Sequence, residues 1–146
     1  MELVIAIGKP GFRIPAAQAH EHIYGYACGL DMTRRDLQLE ARDKGRPWDL
    51  GKDFEESSVI ADIVPMPGVV LSGNALSLKV NGQVRQSASV DKLIWDIREI
   101  IADLSQSHVC LIHETRFFQT IVVCGGSEFA GLDGASANAN ANAFPQ

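Results

Sequence analysis

Hydrophobic and polar positions alternate in different rhythms along this chain, and each change of rhythm marks an element. From Glu2 the run LVIAI is unbroken up to Gly8, the pattern of a strand covered on both faces. Pro15 stands where a helix can begin, and Ala16 to Ile23 carries it to Gly25. The stretch YGYACGLDM, residues 24–32, is β-prone and rich in small residues, so a second strand is expected with Asp31 at its end. Thr33 is the expected N-cap of a helix running to roughly Arg42, which Pro47 and Gly51 then break within RPWDLGK. SSVIADIV, residues 57–64, reads as a third strand stopped by Pro65 and Pro67. Leu76, Leu78 and Val80 alternate up to Asn81-Gly82, a strong hairpin signal. Asp96 with Glu99 forms a capping-box start for a helix to Leu104. Ile97, Ile100, Ile101 and Leu104 share one face of that helix.

Strands and helices are mixed without the regular alternation of a doubly wound sheet, which makes α+β the expected class. From about Ser107 the pattern changes. Only Thr120 to Val123 reads as a strand there, and residues 125–146, with their Ala-Asn alternation, are expected to be a disordered tail.

Composition narrows the function. The chain has 146 residues, enough for one domain with a hydrophobic core. A formal net charge of −5 argues against nucleic acid or an anionic membrane as partner, since both select a basic face. No apolar run approaches the ~18 residues of a membrane span. The opening MELVIAIGKP has no basic region followed by a cleavage site, so a cytoplasmic protein is expected. Its 3 cysteines, Cys28, Cys110 and Cys124, are far apart and suit reduced thiols better than a disulfide framework.

Candidate chemistry gathers in GLDMTRRDLQLEARDKGRPWDLGKDF, residues 29–54. Asp31, Arg35 and Gln38 fall at i, i+4 and i+7, one face of a helix, and they still converge if Asp31 ends a strand just before it. A carboxylate there can hold a hard cation, while a guanidinium and an amide can grip a substrate carboxylate. The plain alternative is a solvated helix with a minor Asp31–Arg35 ion pair. Lys52, after Gly51, can reach from a turn into a cleft and stabilise a developing oxyanion, although a surface lysine explains it equally. Glu2 heads a buried strand, where a carboxylate wants a partner or a metal; the alternative is a frayed, exposed terminus. His20 and His22 lie two apart on a helix and do not form a metal pair. HETRF at 113–117 lacks the second histidine of H-E-x-x-H, and no P-loop, G-x-G-x-x-G or G-x-S-x-G occurs. With only Asp and Glu as candidate ligands, Mg²⁺ or Mn²⁺ is favoured over Zn²⁺.

The segments ELVIAIGK, YGYACGLDMTRRDLQ, GRPWDLGKDFE and LSLKVNGQVRQ…LIWDIREIIADLS, in this order and spacing, resemble the fumarylacetoacetate hydrolase family over residues 2–106. Its D-x-[ST]-x-R-D-x-Q…GK block is specific, and GRPWDLGKDFE is similar to the family's bacterial acylpyruvate hydrolases. The resemblance implies a mixed β-sandwich roll, homodimeric, binding one Mg²⁺ or Mn²⁺ through three carboxylates. Carried over, Glu2 is the second Glu of the family's E-x-E pair and Asp31 the third ligand. Arg35, Gln38 and Lys52 match substrate-contacting and catalytic positions. Arg34, where the family usually has a small residue, is a mild departure. The implied reaction is hydrolysis of a C–C bond in 2,4-diketo acids (acylpyruvates such as fumarylpyruvate) to release pyruvate. Oxaloacetate decarboxylation or keto-acid tautomerisation is the enzymatic alternative, and a non-catalytic fragment the other.

Two departures bear on activity. The family's first metal Glu and its water-activating His and Glu would lie upstream of Met1. After IIADLS, the family's P-G-D-x-I-x-T-G-T-P-x-G-V-G stretch is replaced by HVCLIHETRFFQTIVVCGGSEFAGL. The chain is therefore expected to be a truncated or frameshifted member with little activity. It divides into a partial catalytic domain at 1–106, a divergent segment at 107–124 and the tail at 125–146.

Overall fold

The computed structural model describes residues 1–107 together with the backbone of 115–117 and 120–124. The expected tail at 125–146, and the histidine and glutamate of HETRF, lie outside the described residues. In chain order the elements are β1 (Glu2–Ile7), a 3-10 helix (Ala16–His22), β2 (Ile23–Asp31), α1 (Arg35–Asp43), α2 (Asp49–Lys52), β3 (Ser58–Ile60), β4 (Val64–Pro65), β5 (Ala75–Val80), β6 (Gln83–Ser89), a 3-10 turn (Val90–Lys92), α3 (Ile97–Ser107), β7 (Thr115–Phe117) and β8 (Thr120–Cys124).

One sheet has the order β3-β2-β1-β8-β7, with β4 also pairing β2, and β5 and β6 form a separate hairpin. β1 runs antiparallel to β2 and parallel to β8, so the sheet is mixed and the α+β expectation holds. The two strand pieces at 115–117 and 120–124 thus add to the same sheet as the amino-terminal strands.

The unbroken apolar run of β1 has the structural basis expected of it, because both of its faces are covered. Leu3, Ile5 and Ile7 point to one side and meet Tyr26, Ile14, Ala19, Val90, Ile97 and Ile101. Val4 points to the other, where it meets Ala27 and the partly buried Ile60 and Ile63. On the first side α3 lays down a stripe of Ile97, Ile101 and Ser105. Ser105 is polar and fully buried, and its groups are all engaged. Its Oγ accepts from the Ile14 amide and donates to the Ala102 carbonyl, each at 2.8 Å, while its carbonyl accepts from the Arg13 amide at 2.8 Å. The capping box forms as expected: Asp96 Oδ1 accepts from the Glu99 amide at 2.9 Å, and Glu99 Oε2 from the Asp96 amide at 2.8 Å. The helix runs to Ser107 rather than Leu104. At the β5–β6 turn Asn81 and Gly82 have φ of 51° and 77°, the left-handed pair that a two-residue hairpin turn requires.

Three other expectations are corrected. The segment after Pro15 is a 3-10 helix, begun by an i→i+3 bond from the Gln18 amide to the Pro15 carbonyl at 2.9 Å, and it is short, as such windings are. The strand expected at 57–64 is two strands. Ile60 pairs Gly29 and Val64 pairs Tyr26, so residues 61–63 face only Ala27 and Cys28, and the extra residue bulges the edge. Pro65 is tolerated inside β4 because that strand lies at an edge. Finally, RPWDLGK does not simply end a helix: Asp49–Lys52 forms a helical turn of its own.

Candidate active site at the end of strand β2

The register of β1 against β2 decides where the first two acidic candidates go. Glu2 sits opposite Gly29, and Asp31 is two residues further along β2 on the same face. Gly29 carries no side chain, so nothing stands between the two carboxylates at this corner of the sheet. Their mutual field is felt. The Glu2 carboxyl is raised above its ordinary value of 4.5, first by burial; Asp31 adds to the rise, while the amino-terminal charge and Lys52 oppose it. Glu2 is thus half-buried and electrostatically coupled to the site, which removes the frayed-terminus alternative.

Lys52 completes the cluster from the other direction. Its Nζ donates to Asp31 Oδ2 at 2.7 Å and to Thr33 Oγ1 at 2.9 Å. The Lys52 and Asp31 side chains keep 34% and 31% of their surface in water, so this ion pair contributes within about 1 kcal/mol to folding. Its value lies in placement. The Asp31–Arg35 pair of the plain alternative does not form. Arg35 Nη1 instead donates to Gln38 Oε1, and Gln38 is buried in the first turns of α1.

Gly51 brings these two groups into one site. The Gly51 carbonyl accepts from the Arg34 amide at 2.9 Å, tying α2 to the start of α1. A Cβ on Gly51 would stand 3.0 Å from the Gln38 backbone nitrogen and 3.2 Å from the Arg34 carbonyl oxygen, both main-chain atoms unable to move aside cheaply. The glycine therefore permits a close approach of two backbones. Thr33 is likewise not the N-cap. Arg34 holds that position with no side-chain cap, its guanidinium lying 4.3 Å from the centre of the Phe54 ring. The Thr33 hydroxyl is turned to Lys52. Thr33 and Gly51 join the expected residues here through contacts between segments far apart in sequence.

Glu2 and Asp31 offer paired oxygen donors of the kind a hard divalent cation takes. Among the described residues no group of three or more His, Cys, Asp and Glu side chains that could hold a metal ion converges. His22 does not belong to the site: its Nδ1 is hydrogen-bonded to the Lys9 carbonyl at 2.8 Å. No helix among the described residues is long and apolar enough to cross a membrane.

The mixed sheet and its matched sequence place the chain among known proteins. The family described as fumarylacetoacetate (FAA) hydrolase C-terminal matches residues 1–126, and the chain belongs to this family. It is 73% identical over 105 residues to a fumarylpyruvate hydrolase from Ralstonia sp, covering 72% of this chain and 55% of that protein. A mitochondrial oxaloacetate tautomerase of Mus musculus is 41% identical over 108 residues, covering 73% of this chain and 48% of that one. The crystal structure of fumarylpyruvate hydrolase from Pseudomonas aeruginosa in complex with Mn²⁺ and pyruvate superposes with a TM-score of 0.67 at 44% identity, over 87% of this chain and 52% of that chain. The chain spans about half the length of the relatives it matches.

Proposed function

We propose that this chain carries the metal-binding and substrate-orienting half of a C–C bond hydrolase for acylpyruvates, with fumarylpyruvate as the substrate. The observation that carries the reading is the convergence of Glu2, Asp31 and Lys52 at one corner, in a chain so similar to a fumarylpyruvate hydrolase. Glu2 and Asp31 would hold Mg²⁺ or Mn²⁺, a choice supported by their all-oxygen donor set and by the Mn²⁺ of the Pseudomonas aeruginosa enzyme. The bound cation would supply Lewis acidity, polarising the substrate ketone and taking up negative charge.

The remaining chemistry belongs to side chains. Arg35, held in place by the buried Gln38, presents a planar fork to a substrate carboxylate, and the pair sets the substrate in near-attack geometry. Water gives a proton to a general base and adds to the distal carbonyl, the C–C bond breaks, its electron pair becomes the enolate of pyruvate while fumarate is released, and the proton returns to the enolate carbon. The Lys52 ammonium donates a hydrogen bond to that oxygen as charge gathers on it. The whole protein would work on this small keto acid in the cytoplasm, as a homodimer. Tautomerisation or decarboxylation of oxaloacetate is the second reading, supported by the identity to the mouse tautomerase. It would call on the same Arg35 and Lys52 without addition of water.

Incubation of the chain with Mn²⁺ and either fumarylpyruvate or oxaloacetate, with pyruvate and enol content followed over time, tests both readings. Slow release of pyruvate from fumarylpyruvate, lost in Asp31→Asn, is the expected result. Enol–keto exchange of oxaloacetate without fumarylpyruvate cleavage would select the second reading, and no reaction above the variant's rate with either substrate rejects both.

A further inference from the structure

The sidedness of the Lys52 contacts carries an inference beyond the roles given above. An ammonium has three N–H bonds in a tetrahedral arrangement. A single partly hydrated carboxylate tolerates many orientations of such a compact charge. Lys52 has two acceptors, Asp31 Oδ2 at 2.7 Å and Thr33 Oγ1 at 2.9 Å, and two acceptors stop rotation about the Cε–Nζ bond. One N–H is then left, with a fixed direction. The other end of the side chain is equally constrained, because α2 cannot slide away from α1 without losing the bond between the Gly51 carbonyl and the Arg34 amide.

Thr33 stands at a place where threonine ordinarily does something else. It lies two residues before α1, within reach of the capping role, yet the N-cap is Arg34 and no side chain caps the helix. Forgoing a cap leaves the first amides of a helix without a side-chain acceptor. The hydroxyl is committed to the lysine instead, and a structural role for Thr33 would have favoured the cap.

We propose that Thr33 is a positioning residue whose hydroxyl aims the remaining N–H of Lys52 at the substrate oxygen that becomes negative as the bond breaks. The inference rests on the function proposed for Lys52, but the tether itself can be tested without turnover. Thr33→Val keeps the shape and removes the acceptor, whereas Thr33→Ser keeps the acceptor. In the full chain with ¹⁵N-labelled lysine, at mildly acidic pH, the Lys52 ammonium signal is assigned by its loss in Lys52→Arg. Thr33→Val is expected to speed ammonium proton exchange by about tenfold and to lower the Nζ order parameter, and Thr33→Ser to stay within about twofold of the parent. Melting temperatures of both variants, taken alongside, separate the tether from misfolding. With fumarylpyruvate, Thr33→Val is expected to lower kcat about tenfold with KM nearly constant, and Thr33→Ser to restore it. An unchanged Lys52 signal in Thr33→Val, or a Thr33→Ser chain that behaves like it, overturns the proposal. An altered Lys52 signal in a chain that cleaves nothing would count against the hydrolase reading and for the tether.

Discussion

The two faces of the β1–β2 pair are built for opposite purposes. One carries Leu3, Ile5, Ile7 and Tyr26 into a cluster closed by α3, with Ile5, Tyr26 and Ile101 at 0% exposure. The other carries a smaller cluster around Val4 and Ala27 and, at its end, brings Glu2, Asp31 and Lys52 together. The first face holds the chain folded by area removed from water. The second spends little area and keeps charged groups partly hydrated, where they can exchange partners with a ligand. Stability and chemistry are thereby separated across a single sheet, and substitutions on the two faces are expected to show different signatures.

The largest effect is expected on the charged face. Asp31→Asn removes the carboxylate proposed to hold the cation and the Lys52 acceptor charge, and should bring pyruvate release from fumarylpyruvate down to the uncatalysed rate. It should also abolish any rise in melting temperature on adding Mn²⁺ while leaving the metal-free melting curve within about 1 kcal/mol of the parent. A large loss of metal-free stability would show that the two faces are not independent.

On the apolar face the expectation reverses. Ile101→Ala opens a cavity beside Ile5 and Ile97 and should cost about 3 kcal/mol in urea unfolding, with the Mn²⁺-dependent shift retained wherever the variant is folded. Loss of that shift in a folded Ile101→Ala chain would break the comparison from the other side.

The smallest effect sharpens it at the start of α3. Asp96→Ala removes the acceptor for the Arg98 and Glu99 amides and should cost about 1 kcal/mol at neutral pH. The Asp96 carboxyl lies below its ordinary value of 3.8, chiefly through its hydrogen bond from the Arg98 side chain, opposed by partial burial. Because its folded value is depressed, this contribution is full above 3.8 and is lost as pH falls through the folded value. Parent and variant should therefore converge in stability in acid below 3.8, as chemical denaturation at several pH values would show; a gap that persists there would assign the effect to packing.

How much of this was legible in the residues depends on the range of the interaction. The apolar run after Glu2, the Asn81-Gly82 turn and the Asp96–Glu99 box were readable because each is decided within a few residues, by alternation, by positive φ or by a hydrogen bond three positions away. The D-x-T-x-R-D-x-Q…GK spacing likewise pointed at Asp31, Arg35, Gln38 and Lys52. The same local logic failed for Thr33. A cap was the nearest use for its hydroxyl, and the competitor that won, Lys52, comes from an element 19 residues away. It failed at 57–65 too, since the bulge arises from a count of residues against β2 that no single strand contains.

By itself, then, the order of residues determined the first two strands, where the hairpin and α3 begin, and which side chains bear charge near the middle of the chain. Only the folded arrangement decided that Glu2 would lie across from Gly29 and beside Asp31, and that Gly51 would let α2 approach closely enough for Lys52 to join them. The physical reason is register: slipping β1 against β2 by one residue sends Glu2 to the opposite face, with no change in any local preference.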